Sequence, residues 1–444
     1  MITQFLTSSS LKPINGRFYR RLKSIGSNSK LLLAVSWICL TTFVYSKEYK
    51  NELSFPDAIK KTLNSHPELK SFSHQYKANE GKIKHSTLAT RKEINVNIED
   101  FAGTKDYEGI NRLQSTLSVS WVLENDLLTS RFNLANSTKG LIENDEKINR
   151  LELASQTAEL FIQALGLQEQ VKVINKAIKF SESAVKEINK KVIAGKSFRA
   201  DLLRAQAELS KQKLIEEDLK HEIKIAYRNL AAQWAERTLN DAILIGSLSI
   251  NKTVISFDSL KSQLNQNPLI NKITTLNKIN NAKLDLAIAE NKPRWKFMTG
   301  LRRYERTDDV AIVAGFTLPI GGKNRSEGKV EEIKAYMSQD NSDHEALKIS
   351  LETSLFAYYQ LMMHNVHLAE ILSKDIIPKL KEAQNKTYEA YLIGRYGYLD
   401  LKNVQDDLID AHLTLLEAKL NFHLNKIEIE AIIGSQLFST PEGM

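Results

Sequence analysis

The chain repeats itself once, and that repeat limits its architecture more than any other feature. Ile59–Leu69 (IKKTLNSHPEL) aligns without gaps, at an offset of 201, with Leu260–Ile270 (LKSQLNQNPLI), sharing Lys, Leu, Asn and Pro positions. Gly195–Leu209 (GKSFRADLLRAQAEL) aligns at an offset of 199 with Gly394–Leu408 (GRYGYLDLKNVQDDL), matching Gly195 to Gly394, Asp201 to Asp400, Leu202 to Leu401, Gln206 to Gln405 and Leu209 to Leu408. Two anchors at nearly one offset imply two halves of about 200 residues, which is a duplicated unit rather than a solenoid. The halves are 47–250 and 251–444. Each reads as a short helix ending near a proline, two strand-like runs, then two long helical runs that meet at a glycine.

The strand-like runs show period 2. Ile94-Asn95-Val96-Asn97-Ile98-Glu99 and Leu117-Ser118-Val119-Ser120-Trp121 alternate apolar with polar residues, and in the second half Trp295, Phe297 and Leu301, then Ile312, Ala314, Phe316 and Leu318, do the same against smaller or polar partners. The expected strands are 93–101, 114–123, 294–304 and 310–319, a length that lets a tilted strand cross a bilayer.

The rest is helical. With 8 Pro and 18 Gly in 444 residues, where average usage gives roughly 22 and 31, the chain avoids helix breakers. Val171, Ile174, Ile178, Ser181, Val185, Ile188 and Val192 step by 3 and 4, as do Leu401, Val404, Leu408, Ala411, Leu415, Ala418, Phe422, Asn425 and Ile429. Such spacing is a heptad seam. It predicts helical hairpins over about 124–240 and 325–434, with first helices close to 100 Å long at 1.5 Å per residue. A cytoskeletal coiled coil would share that seam, but it has no use for four amphipathic strands or an export signal.

The export signal lies at the start. The formal net charge is +8, and six of those charges (Lys12, Arg17, Arg20, Arg21, Lys23 and Lys30) stand in residues 1–46, which hold no acid. The remainder carries only +2, too little for a strongly basic nucleic-acid binder. Leu31–Val44 is apolar for 14 residues, the length of a signal-peptide core, and Val44 and Ser46 suit the −3 and −1 sites, which places cleavage after Ser46. The rival readings are an uncleaved inner-membrane anchor and a lipoprotein through Cys39, although Trp37 and Ile38 are bulky for a lipoprotein box. After cleavage no cysteine remains, so neither a disulfide nor a thiolate metal site is expected. No later stretch reaches 18 apolar residues, so any membrane crossing falls to the strands.

Four strands cannot close a barrel, and open edges are not tolerated in lipid. The smallest barrels have about eight strands, so several copies must combine; three give twelve strands, with both helical hairpins of each copy on one side.

These residues resemble the TolC-like outer-membrane efflux proteins. The resemblance rests on the duplication, on the opening LSFPDAIKKTLNSHPEL, and on the paired tips IAGK (193–196) and LIGR (392–395), each followed by Asp-Leu. It implies a mainly α fold with a small membrane β part, in which duplicated helix-strand-strand-helix halves build a trimeric 12-stranded β-barrel continued by a long α-helical coiled-coil tunnel. It further implies a passive conduit in the outer membrane of a Gram-negative bacterium, with the tunnel in the periplasm, and as partners a periplasmic adaptor protein, an inner-membrane pump of the resistance-nodulation-division type and outer-membrane lipid. NVNIEDFAG (95–103) and FTLPIGGKNRSEGKV (316–330) look like the heavy-metal cation branch. Drug efflux or type I protein secretion is the alternative within the fold, and a membrane-anchored coiled-coil adaptor or scaffold the alternative from another class.

By the same resemblance, Asp201, Asp400, Tyr391 and Tyr396 lie where family members narrow the tunnel, and Ala194, Gly195, Lys196, Ile393, Gly394 and Arg395 form tips that receive the adaptor. Asp201 and Asp400 could equally be ordinary caps at helix starts. Other patterns carry no site. Gly195-Lys196-Ser197 ends like a phosphate loop, yet Lys190 occupies the place of the required earlier glycine and no strand precedes it. His364 and His367, beside Met362 and Met363, lack a third ligand, and His66 before Pro67 reads as capping or packing. No nucleophile-base-acid spacing is present, so neither catalytic residues nor a cofactor are expected.

Overall fold

A computed structural model of the chain describes residues 52–239, 243–250, 255–321 and 325–434; the expected signal peptide and its cleavage site lie outside them. In chain order the elements are β1 (Glu52–Ser54), α1 (Phe55–Ser65), α2 (Pro67–Ser86), β2 (Glu93–Glu99), β3 (Gln114–Val122), α3 (Asn125–Ile193), α4 (Arg199–Ala232), β4 (Ile243–Ile245), α5 (Phe257–Ser262), α6 (Pro268–Asn291), β5 (Lys296–Tyr304), β6 (Asp309–Thr317), α7 (Glu327–Ile371), α8 (Ile377–Leu392) and α9 (Tyr398–Ile433). No described helix is long and apolar enough to cross a membrane.

The sheet follows the order β2-β3-β5-β6, antiparallel throughout. β2 and β5 are entered from α2 and α6, and β3 and β6 lead into α3 and α7, so all four strands meet helices at one end of the sheet; β2 stops at Glu99, two residues short of the expected 93–101. Its polarity is inverted relative to a soluble protein. Ile94, Val96, Ile98, Leu117, Leu301, Val310, Ile312 and Phe316 share one face and stand in the open, Ile94 at 73% and Ile312 at 79% exposure. On the other face Thr116, Ser118 and Ser120 are buried, with Ser118 at 2%. Apolar out and polar in is the alternation of a lipid-embedded barrel wall. Trp121, Trp295, Phe297 and Phe316 cluster at the helix end of the outer face, with ring centroids 5.6 to 6.1 Å apart, where an aromatic girdle would meet the membrane interface.

The prolines follow the ends of short helices, as expected, and also mark the starts of new ones. Pro67 and Pro268 sit in the first turns of α2 and α6, where a missing N–H costs nothing. The preceding residues cap those turns: His66 Nδ1 accepts from the Glu68 amide at 3.3 Å, and Asn267 Oδ1 accepts from the Leu269 amide at 2.7 Å. The sequence reading omitted these two pre-strand helices because a proline after an amphipathic turn reads as a terminator. Each half is therefore helix-helix-strand-strand-helix-helix.

Between α7 and α8 lies a π turn, Leu372–Ile376, ending two residues before Pro378. Proline removes one helical hydrogen bond and crowds the carbonyl four residues earlier; a wider turn accommodates both, and the helix continues. α3 has no such interruption over its 69 residues. The heptad residues form the seams: Ile174, Ile178, Ser181 and Ile188 of α3 are buried, as are Leu401, Leu408, Ala411, Ala418, Phe422 and Ile429 of α9. The largest core lies midway along the helices around Phe161, whose ring meets Phe55 edge-on at 5.6 Å; a fully buried side chain of this size contributes about 1.5 to 3 kcal/mol. Beside it β1 and β4 pair in parallel and bring the start and the end of the first half together.

Glu124 pins the junction of sheet and helices. It precedes α3 and is buried; its carboxylate accepts the Thr90 amide and, at 3.0 Å, the Thr90 hydroxyl, and stands 3.7 Å from the Arg294 guanidinium. Three chain segments entering or leaving the sheet thus meet at one carboxylate. Burial alone would raise its pKa, but the Thr90 hydrogen bonds with the charges of Arg131 and Arg294 outweigh that and hold it below the usual carboxylate range.

Candidate functional site: the hairpin tips and the polar face of the sheet

The ends of the two helical hairpins are built alike. At the first, the Gly195 amide donates to Val192 O at 3.0 Å and the Lys196 amide to Lys191 O at 2.8 Å; at the second, Gly394 donates to Tyr391 O at 3.1 Å and Arg395 to Ala390 O at 2.9 Å. This is the paired bonding of a Schellman cap, which requires a left-handed residue. Gly195 has φ +68° and Gly394 φ +79°, and a side chain at either would meet nothing within 4 Å. The tips are open and their glycines are required by backbone conformation, not by crowding.

Asp201 and Asp400 occupy the same position, the third residue of α4 and α9. The Asp400 carboxylate accepts the Gly397 amide at 2.9 Å, and Asp201 accepts the Ser197 hydroxyl at 3.4 Å. Both therefore serve their helix starts, where negative charge is favoured. Asp400 is nonetheless exposed and Asp201 half-exposed, which leaves both charges free to act on the surroundings.

The two tyrosines part company. Tyr396 is exposed, whereas Tyr391 is 4% exposed and packs with Ile188, Ala205, Tyr398 and Leu401 into a small core that joins both hairpins. The Lys191 ammonium lies 3.9 Å from the centre of its ring and donates to its carbonyl oxygen, a cation-π contact of the kind that strengthens when desolvated. Burial and the nearby Asp201 charge raise the Tyr391 phenol's pKa. Burial, with repulsion from Lys196, lowers that of Lys191 against the pull of Glu187. Within one protomer Tyr391 is thus an interior residue, and Lys191 ties α3 to the end of α8. Nearby, Lys402 of α9 approaches Glu208 of α4 at 3.7 Å.

Sequence reasoning passed over Lys191 and over Ile193, Phe198 and Leu399, which are exposed at the tips together with the expected Ile393, Phe198 at 78%. The available signal was their position beside the tip glycines and off the heptad seams. His364 and His367 both face solvent while Met362 is buried, so these four side chains do not converge. Among the described residues no group of three His, Cys, Asp or Glu is arranged to hold a metal.

The polar face of the sheet holds paired charges. At the helix end Lys296 meets Glu93 at 2.6 Å. Toward the other end Arg302 donates to Thr116 Oγ1 at 2.9 Å and Gln114 Oε1 at 3.0 Å, and meets Glu99 at 3.2 Å.

The sequence model of the family described as Outer membrane efflux protein matches residues 58–236. The cobalt-zinc-cadmium resistance protein CzcC of Cupriavidus metallidurans is 20% identical over 391 residues, which cover 88% of this chain and 92% of that protein. Among solved structures, the outer-membrane channel OprN superposes with a TM-score of 0.70 at 13% identity, covering 86% of this chain and 90% of its own. The outer membrane protein VceC of Vibrio cholerae superposes with a TM-score of 0.67 at 14% identity, covering 87% and 97%. The whole described fold is that of these outer-membrane channels, and residues 58–236 of the first half carry the sequence pattern of the Outer membrane efflux protein family.

Proposed function

We propose that three copies of the chain form a passive outer-membrane conduit that completes a tripartite efflux system and exports heavy-metal cations. The observation that carries this reading is the inverted sheet. Its two edge strands, β2 and β6, present unpaired backbone groups along a wall whose outer face is apolar, and in lipid every such group needs a partner. A neighbouring copy supplies one at each edge, and three copies of a four-stranded sheet give twelve strands. All helices then descend on one side as a tunnel ending at the tips. No chemistry is required of such a conduit; energy and selection come from an inner-membrane pump of the resistance-nodulation-division type, reached through a periplasmic adaptor. The metal reading is supported by the match to a cobalt-zinc-cadmium resistance protein along nearly the full length of both chains.

In this reading the six carboxylates of Asp201 and Asp400, with Tyr396, ring the tunnel entrance, draw cations in and repel anions. Tyr391 contributes from inside each protomer, by holding the two hairpins together. In planar bilayers the protein is expected to form channels that added divalent or trivalent cations block from the tunnel side. Asp201→Ala combined with Asp400→Ala should raise single-channel conductance and weaken that block. Block of undiminished strength in the double variant would remove these residues from the entrance.

A further inference from the structure

Three features outside the tips bear charge on the conduit's path: the Glu93–Lys296 pair, the Arg302 cluster and the acidic end of β6. Resting on the trimeric conduit reading above, we propose that Arg302 is the residue that sets the charge selectivity of the barrel bore.

The register places Glu99, Arg302 and Asp309 on one face of the sheet, the same face as the buried Thr116 and Ser118, because Glu99 stands across from Gln114, Arg302 from Thr116, and Asp309 from Tyr304. That is the lumenal face. The neighbouring Arg303 points to the other face, where Asp308 at 2.9 Å and Glu305 at 3.6 Å hold it near the turn. Glu93 and Lys296, at the helix end, neutralise each other at 2.6 Å. Of the strand residues lining the outer half of the bore, Glu99, Arg302 and Asp309 carry charge, net −1 per copy beside the fixed Asp100 carboxylate that Gln114 holds at 2.6 Å at the end of β2, and Arg302 is their one cation.

The side chain is also held flat. Bonds to Thr116 and Gln114 on β3 and the ion pair with Glu99 on β2 lay the guanidinium along the wall, across three strands. An arginine fork, with its N–H donors fixed in one plane, suits donation to several acceptors at once. The positive charge is thereby fixed at the wall without narrowing the bore, which in the same register row is lined by Asn97, Thr116 and Ala311. Twelve strands about 4.8 Å apart and tilted about 40° give a barrel roughly 24 Å across. At 0.01 M salt the Debye length is about 30 Å, so a ring of wall charges then controls the potential across the entire opening.

The test is the reversal potential of single channels in a KCl gradient at low ionic strength. Arg302→Gln takes the outer half to −2 per copy and is expected to shift the reversal potential toward the cation limit. Glu99→Gln takes it to 0 and should shift it the opposite way, and Asp309→Asn, which touches none of the partners of Arg302, should match Glu99→Gln. The double variant Arg302→Gln with Glu99→Gln returns to −1 and should recover the wild-type value, as should Arg302→Lys, which keeps the charge but loses the fork. A merely structural role would make the double variant at least as abnormal as either single one, and that result would overturn the assignment. So would equal reversal potentials in all variants, or, should Arg302→Gln fail to fold, an Asp309→Asn channel indistinguishable from wild type. Absence of channels from the wild-type protein would overturn the conduit reading itself, and this inference with it.

Discussion

Replacing Gly300 by valine is expected to remove the folded outer-membrane form of the protein altogether. Gly300 lies at the centre of β5, opposite Ser118 of β3. A Cβ there would stand 2.3 Å from the Leu117 carbonyl oxygen and 2.6 and 2.7 Å from Ser118 Cβ and Cα. The first and last of those are backbone atoms, which cannot turn aside as a side chain does. The β3–β5 pairing is the seam between the two halves of the duplicated chain, so forcing it open separates two strand hairpins and exposes two new edges. Overpacking in an ordinary core costs about 1 to 3 kcal/mol; here each backbone group left unpaired in lipid adds several more. Gly315→Ala is the control, since its Cβ meets only the mobile Met298 Cε, at 3.3 Å, and should fold normally. Outer-membrane fractions compared by heat-modifiable migration on gels would decide it. Wild-type levels of the heat-modifiable form in Gly300→Val would contradict the close approach of β3 and β5.

Tryptophan at both tips, Gly195→Trp with Gly394→Trp, is expected to abolish efflux while leaving the conduit assembled. Positive φ at these positions costs a non-glycine residue roughly 1 to 3 kcal/mol, and nothing within 4 Å adds a clash. Spread over helices of 69 and 36 residues, that strain should not prevent folding. The proposed docking is a different matter, because an end-on contact with an adaptor would be small and would depend on close backbone approach at the glycines, flanked by the exposed Ile193, Phe198, Ile393 and Leu399. The variant should give normal amounts of outer-membrane trimer that no longer crosslink to the adaptor. Cells carrying it should be as sensitive to the heavy-metal cations of the proposed efflux as cells lacking the chain. Full metal tolerance would reduce both glycines to turn residues.

The legible parts of this fold were those with a strict period. Alternation at Ile94–Glu99 and Leu117–Trp121 exposed the strands because the two faces of the wall meet opposite solvents. The 3-4 spacing of Ile174 to Ile188 and Leu401 to Ile429 exposed the long helices because each buries one stripe along its whole length. α2 and α6 were missed for a physical reason: their capping residues, His66 and Asn267, stand before prolines that serve starts and stops alike. The π turn before Pro378 was illegible too, since proline shows that a helix is disturbed but not that it recovers. At the tips, the glycine frame revealed both turns and the matched Asp201 and Asp400. It could not reveal that Tyr391 turns inward, because that follows from Lys191, two hundred residues earlier in the chain, reaching across to α8.

The proposed conduit depends on copies of the chain completing one another's sheets. The most direct measurement is the native mass of the protein extracted from outer membranes in mild detergent, read beside its migration on gels before and after heating. The account predicts a species of three chains that resists SDS until heated and then runs as one. A monomer of mature chain, found in the inner membrane or free of membrane, would contradict it.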